Sequence, residues 1–425
     1  MTEAAEEVLE ERAPVWRRIV ADTTPLRESA DYRRWWFGYS VSFTGTQLTQ
    51  FAIPYQVYRL THSSLAVGAV GIVVLVPLVT MGLFGGAIAD AMDRRRLTLI
   101  TSSALLVFSL VLTLQAALDL RQVWLLYVVA GLQGAASAVD SSARGAILPR
   151  LVRRELMPAA NALGQLGFNS GLSIGPLLGG LLVGTVGFGW AYFVDALSFV
   201  AVLYAIWRLP AMPPPAGAAR AGVASVLEGL RFLGPRKNLL MTFLVDINAM
   251  VFGMPRALFP AIGTTWFHGG AGTVGLLAAA PSIGALLGAA TSGWAGRIRR
   301  QGRAVLISVT VWGGSIALFG FTRILWLALV LLAMAGAADM VSAIFRNTIL
   351  QVATPDELRG RLQGVFIVVV TGGPRLGDFE AGSVGSAFGS QVSVVSGGVA
   401  CMAGVALLAA AYPSFARYDG RDPTP

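Results

Sequence analysis

Runs of about twenty apolar residues recur from one end of this chain to the other. That recurrence limits what it can fold into more than any other feature. A bilayer core about 30 Å thick is crossed by a helix of about 20 apolar residues. Twelve such stretches can be read, at 35–58, 65–89, 97–118, 123–148, 159–184, 188–208, 238–263, 272–296, 304–321, 324–350, 363–388 and 391–413. Charged residues make up only 13% of the 425, against roughly 25% in a soluble domain. The mean hydropathy is +0.66. The runs are too long and too continuous for the strands of a membrane barrel, which alternate over about ten residues. The expected fold class is an all-α membrane protein of twelve transmembrane helices.

The net charge of +9 is explained by orientation rather than by nucleic acid. Cytoplasmic loops of membrane proteins carry an excess of Lys and Arg. With the N-terminus inside, 25 of the 32 basic residues fall in the tails, the inner loops and a central linker. Outer loops hold Arg59, Arg121 and Arg323 alone, and Arg144, Arg256, Arg346 and Arg375 lie within spans. The first thirty residues are charged throughout and lack the 7–15-residue apolar core of a secretory signal, so they read as a cytoplasmic tail. The expected location is the plasma (inner) membrane of a bacterium, with both termini cytoplasmic. Cys401 is alone, and His62 and His268 fall in predicted outer loops, so no metal site is expected.

The chain repeats itself. Pro-rich residues 209–216 open a hydrophilic linker between two halves. The organisation read is a tail at 1–34, a half at 35–208, a linker at 209–237, a half at 238–413 and a tail at 414–425. Residues 134–158 align without gaps on 336–360 with nine of 25 positions identical, and Arg144 falls on Arg346. Pro54 and His62 fall on Pro260 and His268, and the segment from Gly175 to Gly179 (GPLLG) falls on that from Gly373 to Gly377 (GPRLG). Paired six-helix halves are the architecture of many secondary transporters, with the cargo bound between them near the midplane.

Several motifs carry a family likeness. Between spans two and three stands GAIADAMDRRR, with Gly86, Asp90, Arg94, Arg95 and Arg96. It resembles the loop signature of the major facilitator superfamily, although Ala91 and Asp93 depart from the pattern. In that family the aspartate is thought to bond the N-terminal end of helix eleven and latch the outward-open state, as a carboxylate at a helix N-terminus would. Gly167, Gly171, Gly175, Pro176, Gly179 and Gly180 resemble the glycine-proline element of its antiporters. They are also what tight helix packing needs, and proline permits a bend. Gly171, Gly175, Pro176 and Gly179, with Gly373, Pro374 and Gly377, are the candidate hinges. Ala130 stands where drug/proton antiporters carry an arginine. The better likeness is to a subfamily close to the enterobactin exporter, the transmembrane secretion effectors. It rests on Ala52-Ile-Pro54, Leu60-Thr-His-Ser-Ser64, Asp93-Arg-Arg-Arg96, Thr354-Pro-Asp-Glu-Leu-Arg-Gly360 and Gly372-Gly-Pro-Arg-Leu-Gly-Asp378. The likeness implies the two-half fold and export of siderophores or drugs.

Charges within spans face a cavity or a partner, because hydrocarbon tolerates them poorly. In the family, spans one, four, seven and ten line the cavity. That makes Gln47, Asp140, Asp246 and Asp339 the candidate cavity residues. Asp195 lies in span six, where a structural bond is the expected role. Arg144 and Arg346, close to span ends, are expected to anchor them. In span eleven Arg375 and Asp378 are three residues apart and can pair on one face, while Glu380 points about 140° from Arg375. Two readings of Arg375, Asp378 and Glu380 stand open: a neutralised structural pair, or a carboxylate that trades protons as access alternates.

The function expected is therefore a secondary active exporter of a small amphipathic molecule (siderophore, drug or secondary metabolite), a monomer driven by the proton gradient without any other cofactor. An uptake carrier on the same fold is the alternative, since fold does not set direction; a non-transporting sensor is a third. Catalytic residues are not expected, and ATP is excluded: the only lysine, Lys237, follows Gly-Pro-Arg, which is no P-loop.

Overall fold

The computed structural model describes residues 22–145, 147–213, 231–354 and 356–421, with side chains undescribed at 83, 86, 87, 89, 90 and 356–368. Long helices dominate it. We number them α1 (Ala30–Thr61), α2 (Ser64–Ala91), α3 (Arg94–Ala117), α4 (Val123–Gly145), α5 (Met157–Thr185), α6 (Phe188–Trp207), α7 (Lys237–Phe252), α8 (Phe259–Thr265), α9 (Ala271–Ala290), α10 (Gln301–Phe319), α11 (Leu325–Ala353), α12 (Asp356–Phe388) and α13 (Ser390–Ala411). Their starts carry recognisable signals. Ser29 caps α1 through Tyr32 N–H, Ser63 caps α2 through Ala66 N–H, and Asp93 caps α3 through Arg96 N–H, each satisfying an amide the first turn leaves open.

Ten helical segments among the described residues are long and apolar enough to cross a membrane. The two remaining stretches read as spans, α1 and α12, are 32 and 33 residues long but more polar. They pack inside the bundle, where neighbours rather than lipid meet their polar residues. Large apolar side chains face outward elsewhere, such as Leu407 at 71% exposure and Phe321 at 64%. In water such a belt would be an interaction or aggregation surface; in lipid it is the solvated face.

Each packing within the first half has its equivalent in the second. The pairs α1·α5, α1·α6, α2·α4, α3·α4 and α3·α6 recur as α7·α12, α7·α13, α9·α11, α10·α11 and α10·α13. The repeat reaches the backbone. His62 at the end of α1 and His268 in the loop after α8 both lie in the left-handed region, at φ 51° and 50°, and Gly187 and Gly389 open α6 and α13 at φ 92° and 91°. No cluster of metal-binding side chains occurs among the described residues.

One expected span is broken. The stretch 238–263 reads as continuous, yet α7 stops at Phe252 and a 3-10 turn, Arg256–Leu258, intervenes before α8. Pro255 lacks an N–H and disfavours helical geometry at Met254. The carbonyl of Gly253 is not left bare: Trp312 Nε1 donates to it at 2.7 Å.

The halves meet along α2·α12 and α5·α9. A Cβ on Gly68 or Gly71 would lie 2.7 and 2.6 Å from the carbonyls of Asp378 and Arg375. One on Gly275 or Gly180 would lie 2.6 and 2.7 Å from those of Pro176 and Ala271. All these contacts sit at the end of the bundle far from the chain termini. Toward the termini a Cβ on Gly82 or Gly164 meets nothing within 4 Å. Among the described residues, the bundle is therefore shut at its far end.

Candidate transport site and gates

The buried charges gather at three places. In the second half Arg346 on α11 holds Asp246 on α7 in an ion pair and lies 3.5 Å from Asp339, about two turns back on its own helix. Asp246 has only 3% of its side chain exposed, Asp339 30%. In the first half Arg144 pairs with Asp140, four residues before it on α4. Thr101 donates to Asp140 at 2.6 Å, Arg144 donates to Ser102 at 3.3 Å, and its guanidinium lies 4.9 Å from the ring of Tyr39. The two arginines are repeat mates, and both are buried. Span-end anchoring, expected for them, is therefore corrected: a carboxylate within reach makes an internal pair the cheaper solution. Gln47, the remaining cavity candidate, is half-buried and lies against Gly175 of α5.

The second place is Asp195, fully buried on α6. It accepts from Thr49 of α1 at 2.6 Å and Ser109 of α3 at 2.7 Å, so it ties three helices of one half together. Beside it an apolar groove of about 680 Å³ runs between α5 and α6 over α1, lined by Phe37, Val41, Leu166, Ile174 and Leu197 among others. Its lining is open to the lipid side.

The third place is α12. The Arg375–Asp378 pair that their spacing predicts does not form. Asp378 instead faces Arg256 Nη2 at 3.4 Å, and Arg375 reaches across to Gln50 of α1 at 3.2 Å. The break in span seven explains the exchange, because it delivers Arg256 beside α12. Glu380 is half-buried and joins no ion pair among the described residues.

The glycine-proline segments are not where their sequence match puts them. Gly180 meets Ala271 and Gly275 as Gly382 meets Ser64 and Gly68, and Gly175 meets the Thr44 carbonyl as Gly377 meets that of Met250. These equivalences lie 202 positions apart, as Arg144 and Arg346 do, whereas Gly175 and Gly373 lie 198 apart. The GPLLG/GPRLG match is slipped by four residues, about one helical turn, which keeps the face and so hides the slip. Gly373 faces Met250 of α7, and Gly171 and Gly179 face Phe43 and Phe51 of α1. Both helices run through Pro176 and Pro374 unbroken.

Gly86 and Asp90 fall in the last turns of α2, and the side chain of Asp90, the expected latch, lies outside the described residues. The loop that follows is described. Asp93 accepts from Arg96 N–H at 2.9 Å and from Met212 N–H at 2.7 Å, and Arg94 N–H donates to the Met212 carbonyl at 3.1 Å. Arg95 donates to the carbonyls of Ile206 and Trp207 at 3.2 and 2.6 Å. The loop thus pins the start of the linker.

Residues 20–420 match the family model described as transmembrane secretion effector. The chain belongs to that family. It is 30% identical over 353 residues to the enterobactin exporter EntS of Citrobacter koseri, covering 81% of this chain and 83% of that one, and 31% identical with the same coverage to EntS of Escherichia coli. Solved structures of low identity share the fold. They include the nucleoside transporter NupG (14% identity, TM-score 0.66, 91% and 99% of the two chains) and a bacterial homologue of the lysosomal transporter Spinster in an inward-facing, unoccupied conformation (15%, 0.70, 93% and 97%). A bacterial homologue of the iron transporter ferroportin, inward-facing, is a third (13%, 0.65, 91% and 98%). This secretion effector is a major facilitator transporter and not an enzyme.

Three functional positions escaped sequence reading. Arg256 was counted among span charges without a role; the Gly-Met-Pro before it was the available signal. Gln50, four residues before Pro54, holds Arg375, and one glutamine among three in a polar helix gives no warning of that. Asp93 was read as a departure from the loop signature, although an aspartate directly before an arginine-led helix is a capping pattern.

Proposed function

We propose that this transporter is a proton-driven exporter of a small amphipathic molecule, working by alternating access in the plasma membrane. In this reading twelve helices cross the bilayer, residues 35–208 and 238–413 form the two halves, 209–237 link them, and both termini are cytoplasmic. The basic inner loops support that orientation. The far end, shut by α2·α12 and α5·α9, is then the outer gate, and the cavity opens to the cytoplasm. The names of the enterobactin exporters to which the chain is similar support outward transport over uptake.

The observation that carries the coupling is the second-half cluster. One guanidinium, Arg346, serves two carboxylates, Asp246 and Asp339, where among the described residues its repeat mate Arg144 serves Asp140 alone. A surplus carboxylate beside a shared cation is the arrangement in which one of the two takes up a proton. Asp339 is the one solvent reaches. Protonation of Asp339 leaves Arg346 to Asp246; loss of the proton makes Arg346 divide itself between α7 and α11. The equilibrium between access states then depends on protons.

The test is Asp339→Asn in proteoliposomes. Cargo movement driven by an imposed pH gradient should fall to background, while exchange of cargo down its own gradient continues. Full pH-driven transport by this variant would remove Asp339 from the coupling, and Asp378→Asn would be examined next. Comparing metabolites inside and outside cells with and without the gene decides direction and names the cargo.

A further inference from the structure

The charges left over at the shut end of the cavity have no part in the coupling just described. Arg256 and Arg375 have one carboxylate near them, Asp378, and it pairs with Arg256. Among the described residues Asp378 binds Arg256 alone, at 3.4 Å and through Oδ2, while its Oδ1 is buried without a hydrogen-bond partner. Arg375 has the neutral Gln50. Asp378 and Arg256 both act electrostatically on Arg375, so the two guanidinium groups repel one another. Glu380 does not restore the balance: two residues beyond Asp378 it points about 200° away. The cluster therefore carries a surplus positive charge inside the membrane-spanning bundle, where an uncompensated ion is costly.

Its position is also particular. Pro54 and Pro260 are repeat mates 206 positions apart, which sets Gln50 opposite Arg256 on α1 and the start of α8. Both reach α12, Gln50 through Arg375 and Arg256 through Asp378. Arg256 has 41% of its side chain exposed, yet the turn that bears it packs against α12 of its own half and α2 of the other. Arg256 therefore stands where the two halves meet. Guanidinium groups present paired N–H donors that match two adjacent anionic oxygens.

We propose that Arg256 and Arg375, with Gln50, form a subsite for the anionic end of an otherwise apolar cargo. The chemical class is an amphipathic acid whose carboxylate, catecholate, sulfonate or phosphate oxygens face both arginines. The idea rests on the exporter reading for the word cargo, but the subsite itself is tested by binding at equilibrium. Bound anion neutralises the surplus charge and adds a link between α1, α8 and α12 at the shut gate. Asp378 competes with the anion for Arg256 and so sets its affinity.

The experiment uses the full chain in nanodiscs of phosphatidylcholine. The probe is 8-anilinonaphthalene-1-sulfonate, with N-phenyl-1-naphthylamine, the same rings without the sulfonate, as its uncharged counterpart. Saturable sulfonate binding above empty nanodiscs is expected. Arg375→Gln and Arg256→Gln should each weaken it about tenfold, the size of one charge-assisted hydrogen bond. Arg375→Lys should hold it within about threefold. Asp378→Asn should tighten it, a change of sign that damage to the fold cannot produce. The uncharged probe should respond to none of these. Equal binding of the sulfonate by all variants, or parallel loss of both probes, would overturn the subsite. Sulfonate binding that follows the charges in a protein with no transport would uphold the subsite and sink the exporter reading. Vesicles with anionic phosphatidylglycerol separate lipid from cargo: competition by that lipid at bilayer concentration would assign the subsite to a headgroup and overturn it as a cargo site.

Discussion

Replacing Arg346 by Met is the most direct probe of the second-half cluster. The guanidinium is 6% exposed and Asp246 2%, so the substitution leaves one carboxylate sealed in the protein and a second, Asp339, beside it. Removing one partner of a buried pair costs about 3–5 kcal/mol, chiefly because the remaining charge is stranded. Two stranded carboxylates that also repel one another put Arg346→Met at the upper end. Arg144→Met strands only Asp140, which keeps its 2.6 Å bond from Thr101, and should cost nearer 3 kcal/mol. The assay is reversible unfolding of the purified protein by dodecyl sulfate in mixed micelles, with Arg346→Met/Asp246→Asn as the companion. If stranded charge is the cause, neutralising Asp246 must recover a large part of the loss. A cost below about 1 kcal/mol for Arg346→Met, or a double variant less stable than the single one by the full Asp246→Asn effect, would show that no buried ion pair exists there.

Gly275→Val places a side chain 2.6 Å from the Pro176 carbonyl, so the shut far end should give way; spin-label distances between residues 63 and 269 should lengthen, and an unchanged distribution would refute the closure. Asp93→Ala removes both an α3 cap and the acceptor for Met212 N–H. It should cost about 1 kcal/mol and speed proteolytic cleavage near residue 213, with equal cleavage rates counting against the linker clamp. Asp195→Leu leaves the hydroxyls of Thr49 and Ser109 without their acceptor and should destabilise by about 1–3 kcal/mol, whereas Asp195→Leu with Thr49→Val and Ser109→Ala should recover most of that. Failure to recover would mean the loss comes from packing.

How much of this could be read from the residues alone depended on which interactions are local. Helix limits were legible, mostly to within a few residues, because lipid demands a continuous apolar run and charged clusters bound it; 188–208 against Phe188–Trp207 is typical. The repeat was legible where side chains are specific, as at Arg144 and Arg346. It slipped at the glycine-proline segments because a one-turn shift in a helix returns nearly the same face, and glycines at four-residue spacing match themselves when moved by four. Partner choice was illegible wherever it crossed helices. The Arg375–Asp378 spacing permits a pair, but a backbone break 120 residues earlier decides against it. Span one was expected to line the cavity, though nothing in its order of residues tells that Thr49 serves α6 and Gln50 serves α12.

The corrected register changes what the asymmetry between the halves means. With the slipped match, Arg375 and Asp378 replace two residues of a shared glycine-proline element. With the structural one, they stand opposite Ser173 and Pro176, and Arg256 stands opposite Gln50. Three neutral positions of the first half are thus charged in the second, and all three charges converge on one place at α12. A single such change would strand a charge in the bundle and cost several kcal/mol; Arg256 and Asp378 are tolerable together because each meets the other. Arg375 is the one that this logic leaves over, since Gln50 solvates it without neutralising it. A charge kept at such a place, on the helix that closes the far end against α2, is what the proposed anion subsite would account for. The duplicated fold supplies the symmetric scaffold, and the second half carries the chemistry.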